Sequence, residues 1–86
     1  MNQCYTKNPA IIEKDLPEGP VLIDPYRRTM VPLDPVGLEI WRLLDGSRDV
    51  EDMVTILSGL FDVGEETLRR DVASFLRELA KREMIG

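Results

Sequence analysis

The sequence predicts an α+β domain in which a three-stranded antiparallel sheet is followed by three helices. Three observations carry that expectation. The first third of the chain breaks into short apolar runs separated by turn formers. From Asp34 onward the apolar residues recur at helical spacing instead. The 86 residues, 43% hydrophobic and 31% charged, suffice for one small core, too apolar for disorder and too interrupted by charge for a membrane span.

Each strand is short. Ile11-Ile12-Glu13-Lys14 is the first apolar run, Pro20-Val21-Leu22-Ile23-Asp24 the second and Thr29-Met30-Val31-Pro32-Leu33 the third. Between them lie Leu16-Pro17-Glu18-Gly19 and Asp24-Pro25-Tyr26-Arg27-Arg28, both rich in turn residues, so the simplest layout is a meander of two hairpins. Proline has no N–H to give a ladder and belongs on an edge strand or at a bulge. Pro32 therefore predicts that the third strand keeps one side unpaired.

Asp34-Pro35 reads as an N-cap followed by proline at the first helical position. Val36, Ile40, Leu43 and Leu44 then follow at helical spacing until Asp45-Gly46 stops the run. A second helix opens near Asp49 and lines up Val50, Met53, Val54, Leu57, Leu60 and Phe61. The third starts after Gly64, with Glu65 and Glu66 where the helix dipole favours acids and Lys81 and Arg82 where it favours bases. Its apolar stripe is Leu68, Val72, Phe75, Leu76 and Leu79, and about 18 residues would extend roughly 27 Å. Three strands beside three helices, with a short link between the last two, give a winged helix-turn-helix-like outline. Residues 1–9 are expected to be a flexible N-terminal tail and residues 10–86 the domain, with no internal repeat.

Composition removes several functions. There is no histidine, hence no triad of the usual kind, and Cys4 alone can make neither an internal disulfide nor a soft-metal site. The first residues lack the apolar run of a secretory signal, so a cytoplasmic protein without metal or cofactor is expected. Sixteen acidic against eleven basic side chains give a formal charge of −5, all of it in residues 34–86. Asp45, Asp49, Glu51 and Asp52 gather much of that excess, which would repel a phosphate backbone.

The acid pairs Glu65-Glu66 and Asp49 with Asp52 sit in first helical turns, where caps and dipole partners belong, rather than in catalytic pairs. Ser47, Ser58 and Ser74 have no base to activate them, and the glycines form no phosphate loop. In the third helix Arg69, Arg70, Arg77, Lys81 and Arg82 are matched one for one by Glu65, Glu66, Asp71, Glu78 and Glu83, which describes a solvated face better than a DNA-reading one. The remaining candidate is an open strand edge beside a long helix, which can capture an extended peptide as a further strand. Thr29, Met30, Val31 and Leu33 would offer the edge, and Asp71, Phe75 and Glu78 the wall. The bland reading is that Met30, Val31 and Phe75 are ordinary core beside an edge protected by Pro32.

Leu33-Asp34-Pro35-Val36-Gly37-Leu38-Glu39-Ile40-Trp41-Arg42-Leu43-Leu44-Asp45-Gly46, followed by Val50-Glu51-Asp52-Met53-Val54, resembles the signature region of PqqD-like proteins. Phe61-Asp62-Val63, Arg70-Asp71-Val72, Phe75-Leu76 and Leu79 resemble the third-helix pattern of that family. The resemblance implies a non-catalytic peptide chaperone that binds the leader region of a ribosomally made precursor peptide. It also implies a modifying enzyme as partner: a radical iron-sulfur enzyme, as in pyrroloquinoline quinone biosynthesis, or a leader protease, as in lasso peptide pathways. By the same resemblance, Arg28, Thr29, Met30, Val31 and Leu33 would supply strand pairing, and Asp71, Phe75 and Glu78 side-chain contacts. Trp41 is expected in the core. Asp34 stands where the family usually has asparagine, a change that keeps the cap. A winged-helix DNA-binding regulator is the alternative.

Overall fold

Turn chemistry orders the sheet. In the computed structural model, which describes residues 3–86, β1 (Ile12–Leu16), β2 (Gly19–Asp24) and β3 (Thr29–Pro32) form one antiparallel sheet in the order β1-β2-β3. Pro17 and Glu18 make the first turn, closed by the Leu16–Gly19 pair. In the second turn the buried carboxylate of Asp24 accepts the amides of Tyr26 and Arg27 at 3.0 and 3.1 Å. An Asp that caps its own turn in this way fixes the hairpin without a further strand residue. The register places Leu22 opposite Glu13 and Val31, and Ile23 opposite Ile12 and Met30.

The helices are α1 (Pro35–Arg42), α2 (Val50–Leu60) and α3 (Glu65–Lys81). Asp34 caps α1 by accepting the Gly37 amide at 2.6 Å, while Asp49 and Asp52 cap α2 reciprocally at 2.9 and 3.1 Å. Such caps satisfy amides that have no partner within the helix. One helix is shorter than its apolar spacing suggests. The regular part of α1 stops at Arg42, and the Leu44 amide turns back to the Trp41 carbonyl at 3.2 Å, so Leu44 is buried from a tight turn. Gly46 then takes φ +85°, and a Cβ there would lie 2.8 Å from Cγ2 of Thr6.

That contact exposes a difference from the expected tail. Met1 and Asn2 lie outside the described residues, but Tyr5, Thr6 and Asn8 are tied to the body of the domain. The Gly46 amide donates to the Tyr5 carbonyl at 2.9 Å, Thr6 exchanges two backbone hydrogen bonds with Gly86, and the Asn8 amide donates to Met84 at 2.9 Å. Lys7 places its ammonium 5.5 Å from the Trp41 ring centroid. The segment carries no apolar period; main-chain groups, the Asn8 side-chain amide on the Glu83 carbonyl, the Tyr5 ring against the core and one cation over an aromatic face hold it in place.

The helices cover one side of the sheet. Leu22 and Leu33 meet Ile40, Trp41, Met53, Leu57, Leu76 and Leu79 in a single core, and Trp41 is buried within it. On the exposed flank Arg69 of α3 grips Glu51 of α2 through two hydrogen bonds of 2.6 and 2.8 Å. The Arg69 guanidinium holds the Glu51 carboxyl below its ordinary pKa, and Glu51 in turn raises that of Arg69. Among the described residues no helix is long and apolar enough to cross a membrane.

Candidate functional site

An antiparallel strand offers its main-chain groups alternately to its two sides. The Leu33 amide donates to the Pro20 carbonyl of the neighbouring strand at 2.9 Å. By alternation Val31 and Thr29, opposite Leu22 and Asp24, also bond β2, while Met30 and Pro32 turn their main chains to the open side. The donor missing from Pro32 therefore costs the sheet nothing and is absent only from the free edge. That edge presents the N–H and C=O of Met30 and the C=O of Pro32.

The sheet has a second free edge at β1, and the two differ. Glu13, Lys14 and Asp15 are all exposed on β1, the kind of charged strand that discourages pairing. On β3 the edge residues Met30 and Pro32 carry no charge, and Met30 is 56% exposed.

Side chains alternate with the main chain. Met30 points to the uncovered face of the sheet, whereas Thr29, Val31 and Leu33 point toward the helices. There a groove opens between the end of β3 and α3. Its first part is lined by Val31, Pro32, Leu33, Asp34, Phe75 and Glu78. It continues into a hollow of about 450 Å³ bounded by Val36, Gly37 and Ile40 of α1 and by Asp71, Ser74, Phe75 and Glu78 of α3. Asp34, Phe75 and Glu78 border both parts. Phe75 is half-buried, packed against the core on one side and open to the groove on the other.

The sequence-predicted residues divide accordingly. Asp71, Phe75 and Glu78 come together on one flank of α3, spaced by four and three residues so that they share a face. Of the strand residues, only Met30 turns its main chain outward; Val31 and Leu33 reach the groove by side chain, and Leu33 is 7% exposed. Thr29 is half-buried at the start of β3. Arg28 lies outside the strand with φ +55°, at the end of the hairpin turn. Sequence reasoning left Pro32 either to pair through its carbonyl or to be skipped, and missed Asp34, Val36, Gly37, Ile40 and Ser74 as lining. The signal was present in the i, i+4 pair Val36 and Ile40 flanking a helical glycine. A Cβ on Gly37 would stand 3.1 Å from the Asp34 carboxylate and 3.5 Å from the Phe75 ring. The glycine thus lets α1 approach the ring that floors the groove.

The groove is apolar below and acidic at the rim. Glu78 is bonded to Arg82 at 2.9 Å, one carboxylate oxygen of Asp34 is engaged by its cap, and Asp71 has no ion pair among the described residues. Among the described residues no lysine or arginine lines either part. Among the described residues no group of three or more His, Cys, Asp or Glu side chains is placed to hold a metal ion. An open main-chain edge beside a groove that is apolar next to the strand and mixed in character further in suits an extended peptide.

Comparison with curated protein sequences gave no match. Among solved structures, one described as TbiB1 in complex with the TbiA(beta) leader peptide is 30% identical, covers 93% of each chain and superposes with a TM-score of 0.77. A lasso peptide synthetase B1 complexed with its leader peptide is 21% identical, covers 95% of this chain and 96% of its own, and shares the fold with a TM-score of 0.81. The family described as Coenzyme PQQ synthesis protein D (PqqD) matches residues 19–85. With β2, β3, the three helices and the motif from Leu33 to Gly46 all inside that match, this chain belongs to the PqqD family.

Proposed function

We propose that this chain is a non-catalytic recognition element that binds the leader segment of a ribosomally made precursor peptide and presents it to a modifying enzyme. The observation that carries the reading is the meeting of two features at one place. The uncharged free edge of β3 borders the hollow floored by Phe75, so one extended peptide can use both. The likeness to a leader-peptide complex at 30% identity supports it.

In this reading the leader adds as a fourth strand. Its main chain bonds the N–H and C=O of Met30 and the C=O of Pro32, and its alternate side chains fall between Val31, Leu33 and Phe75. Asp71 and Glu78 flank those side chains, and Arg28 and Thr29 bound the far end. Ordering an unstructured peptide costs about 2–5 kcal/mol, which favours micromolar or somewhat tighter capture and hence release to an enzyme. DNA binding is not favoured. Arg69 of α3 and Arg82 at its C-cap are held by Glu51 and Glu78, and acids share the groove-facing side of the helix.

An amide NMR titration of the labelled domain with candidate leader peptides tests the reading, with a short DNA duplex at low salt beside it. Shifts concentrated at residues 29–33 and 71–78 on adding peptide are expected. Shifts produced by DNA alone along α3 would overturn it.

A further inference from the structure

We infer that the groove reads a basic side chain: an arginine or lysine of the bound peptide lays its methylenes over Phe75 and sets its charged head between the carboxylates of Asp71 and Glu78. The inference rests on the peptide-binding reading above and specifies the substrate class of that same site.

Surface carboxylates alone would indicate only solvation. Here they stand in a particular arrangement. Asp71, Phe75 and Glu78 follow one another along one flank of α3, so the half-buried ring separates two acids about 10 Å apart along the helix axis. Asp34 brings a third carboxylate from the opposite wall. A long cationic side chain matches both layers, since its stem is apolar and its head is drawn to an aromatic face within about 6 Å.

The existing ion pairs leave this position open. Arg82 reaches Glu78 from one turn further along α3, and Asp71 has no cation beside it among the described residues. Among the described residues no lysine or arginine is in the lining, so an acidic peptide residue placed beside Asp71 would face like charge, with Arg82 the neighbouring cation on the Glu78 side. Asp71 therefore discriminates between peptides, while Val31, Leu33 and Phe75 supply the apolar contact common to all of them.

A random dodecapeptide display library panned against the full chain tests the inference. Enriched peptides should carry Arg or Lys at a fixed offset from an apolar position. Replacing that base by Gln should weaken binding to the wild type about two- to fivefold, and less at high salt. With Asp71→Asn the two peptides should bind more nearly alike, and Asp71→Arg should reverse the preference toward Glu. Enriched apolar peptides without a basic position, or an Asp71→Asn change that weakens basic and Gln peptides equally, would overturn the inference and leave peptide binding intact. No enrichment at all would overturn both readings.

Discussion

Leu33 donates its amide hydrogen to the Pro20 carbonyl at 2.9 Å, and this bond decides which residues of β3 face the open side of the sheet. Because it assigns Leu33 to β2, the outward groups belong to Met30 and Pro32. The proline thus sits where a peptide would pair, with its carbonyl available and no donor beside it.

Restoring that donor should strengthen capture. Pro32→Val gives the edge one further N–H, worth about 1 kcal/mol or fivefold in Kd for a peptide paired there. Calorimetric titration of both proteins with one leader peptide measures the difference, and unchanged affinity would place the peptide off this edge. The same variant should self-associate more readily at high concentration, which sedimentation would show.

Phe75 has a double role that two measurements separate. Phe75→Ala should weaken peptide binding at least tenfold while lowering stability modestly, since the ring is only half-buried. Leu76→Ala, one residue on and 3% exposed, should cost about 2–5 kcal/mol of stability. Arg77→Ala, exposed and outside the groove lining, should change neither by much. Equal affinity losses for Phe75→Ala and Arg77→Ala would move the site elsewhere.

The cap of α1 can be tested by its chemistry. Asp34→Ala removes the 2.6 Å bond to Gly37 and should cost about 1 kcal/mol, lowering Tm by about 4–8 °C. Asp34→Asn keeps an accepting oxygen in the same position and should leave Tm nearly unchanged. A large loss with asparagine would mean that the charge, rather than the cap, matters there.

Glu51 provides a pH dependence of known sign. Its hydrogen bonds to Arg69 lower the folded-state pKa below the ordinary glutamate value of about 4.3, so the unfolded chain binds the proton more readily. The stabilisation is complete above that ordinary value and is lost as pH falls through the folded-state pKa. Carbon-detected titration should find the Glu51 carboxyl below the usual range in the wild type and near it in Arg69→Gln. The stability difference between wild type and Glu51→Gln should shrink as acid is added.

Local chemistry accounts for much of the fold. Asp24 makes its own turn, Asp34-Pro35 starts α1, Asp49 and Asp52 cap α2, and the stripe Leu68, Val72, Leu76 and Leu79 defines the buried side of α3. These signals act over four residues or fewer, or repeat with the helix period, and can be read along the chain. The groove wall was legible for the same reason: Asp71, Phe75 and Glu78 share a flank by spacing alone. The bridges from Thr6 and Lys7 to Asp45 and Ile85 were not, because they join main-chain groups of segments that carry no periodic pattern.

By itself, the sequence determined the order of the elements, their caps and the presence of one unpaired strand edge near Pro32. Tertiary structure alone decided which main-chain groups of β3 that edge presents and what stands across from Phe75. The first depends on a register fixed by pairing Leu33 with Pro20, where a shift of one residue would exchange every inward and outward group. The second depends on α1 and α3 packing closely enough at Gly37 for Val36 and Ile40 to face Phe75 across the hollow. Both are consequences of contact between distant segments, whose geometry no local pattern of residues encodes.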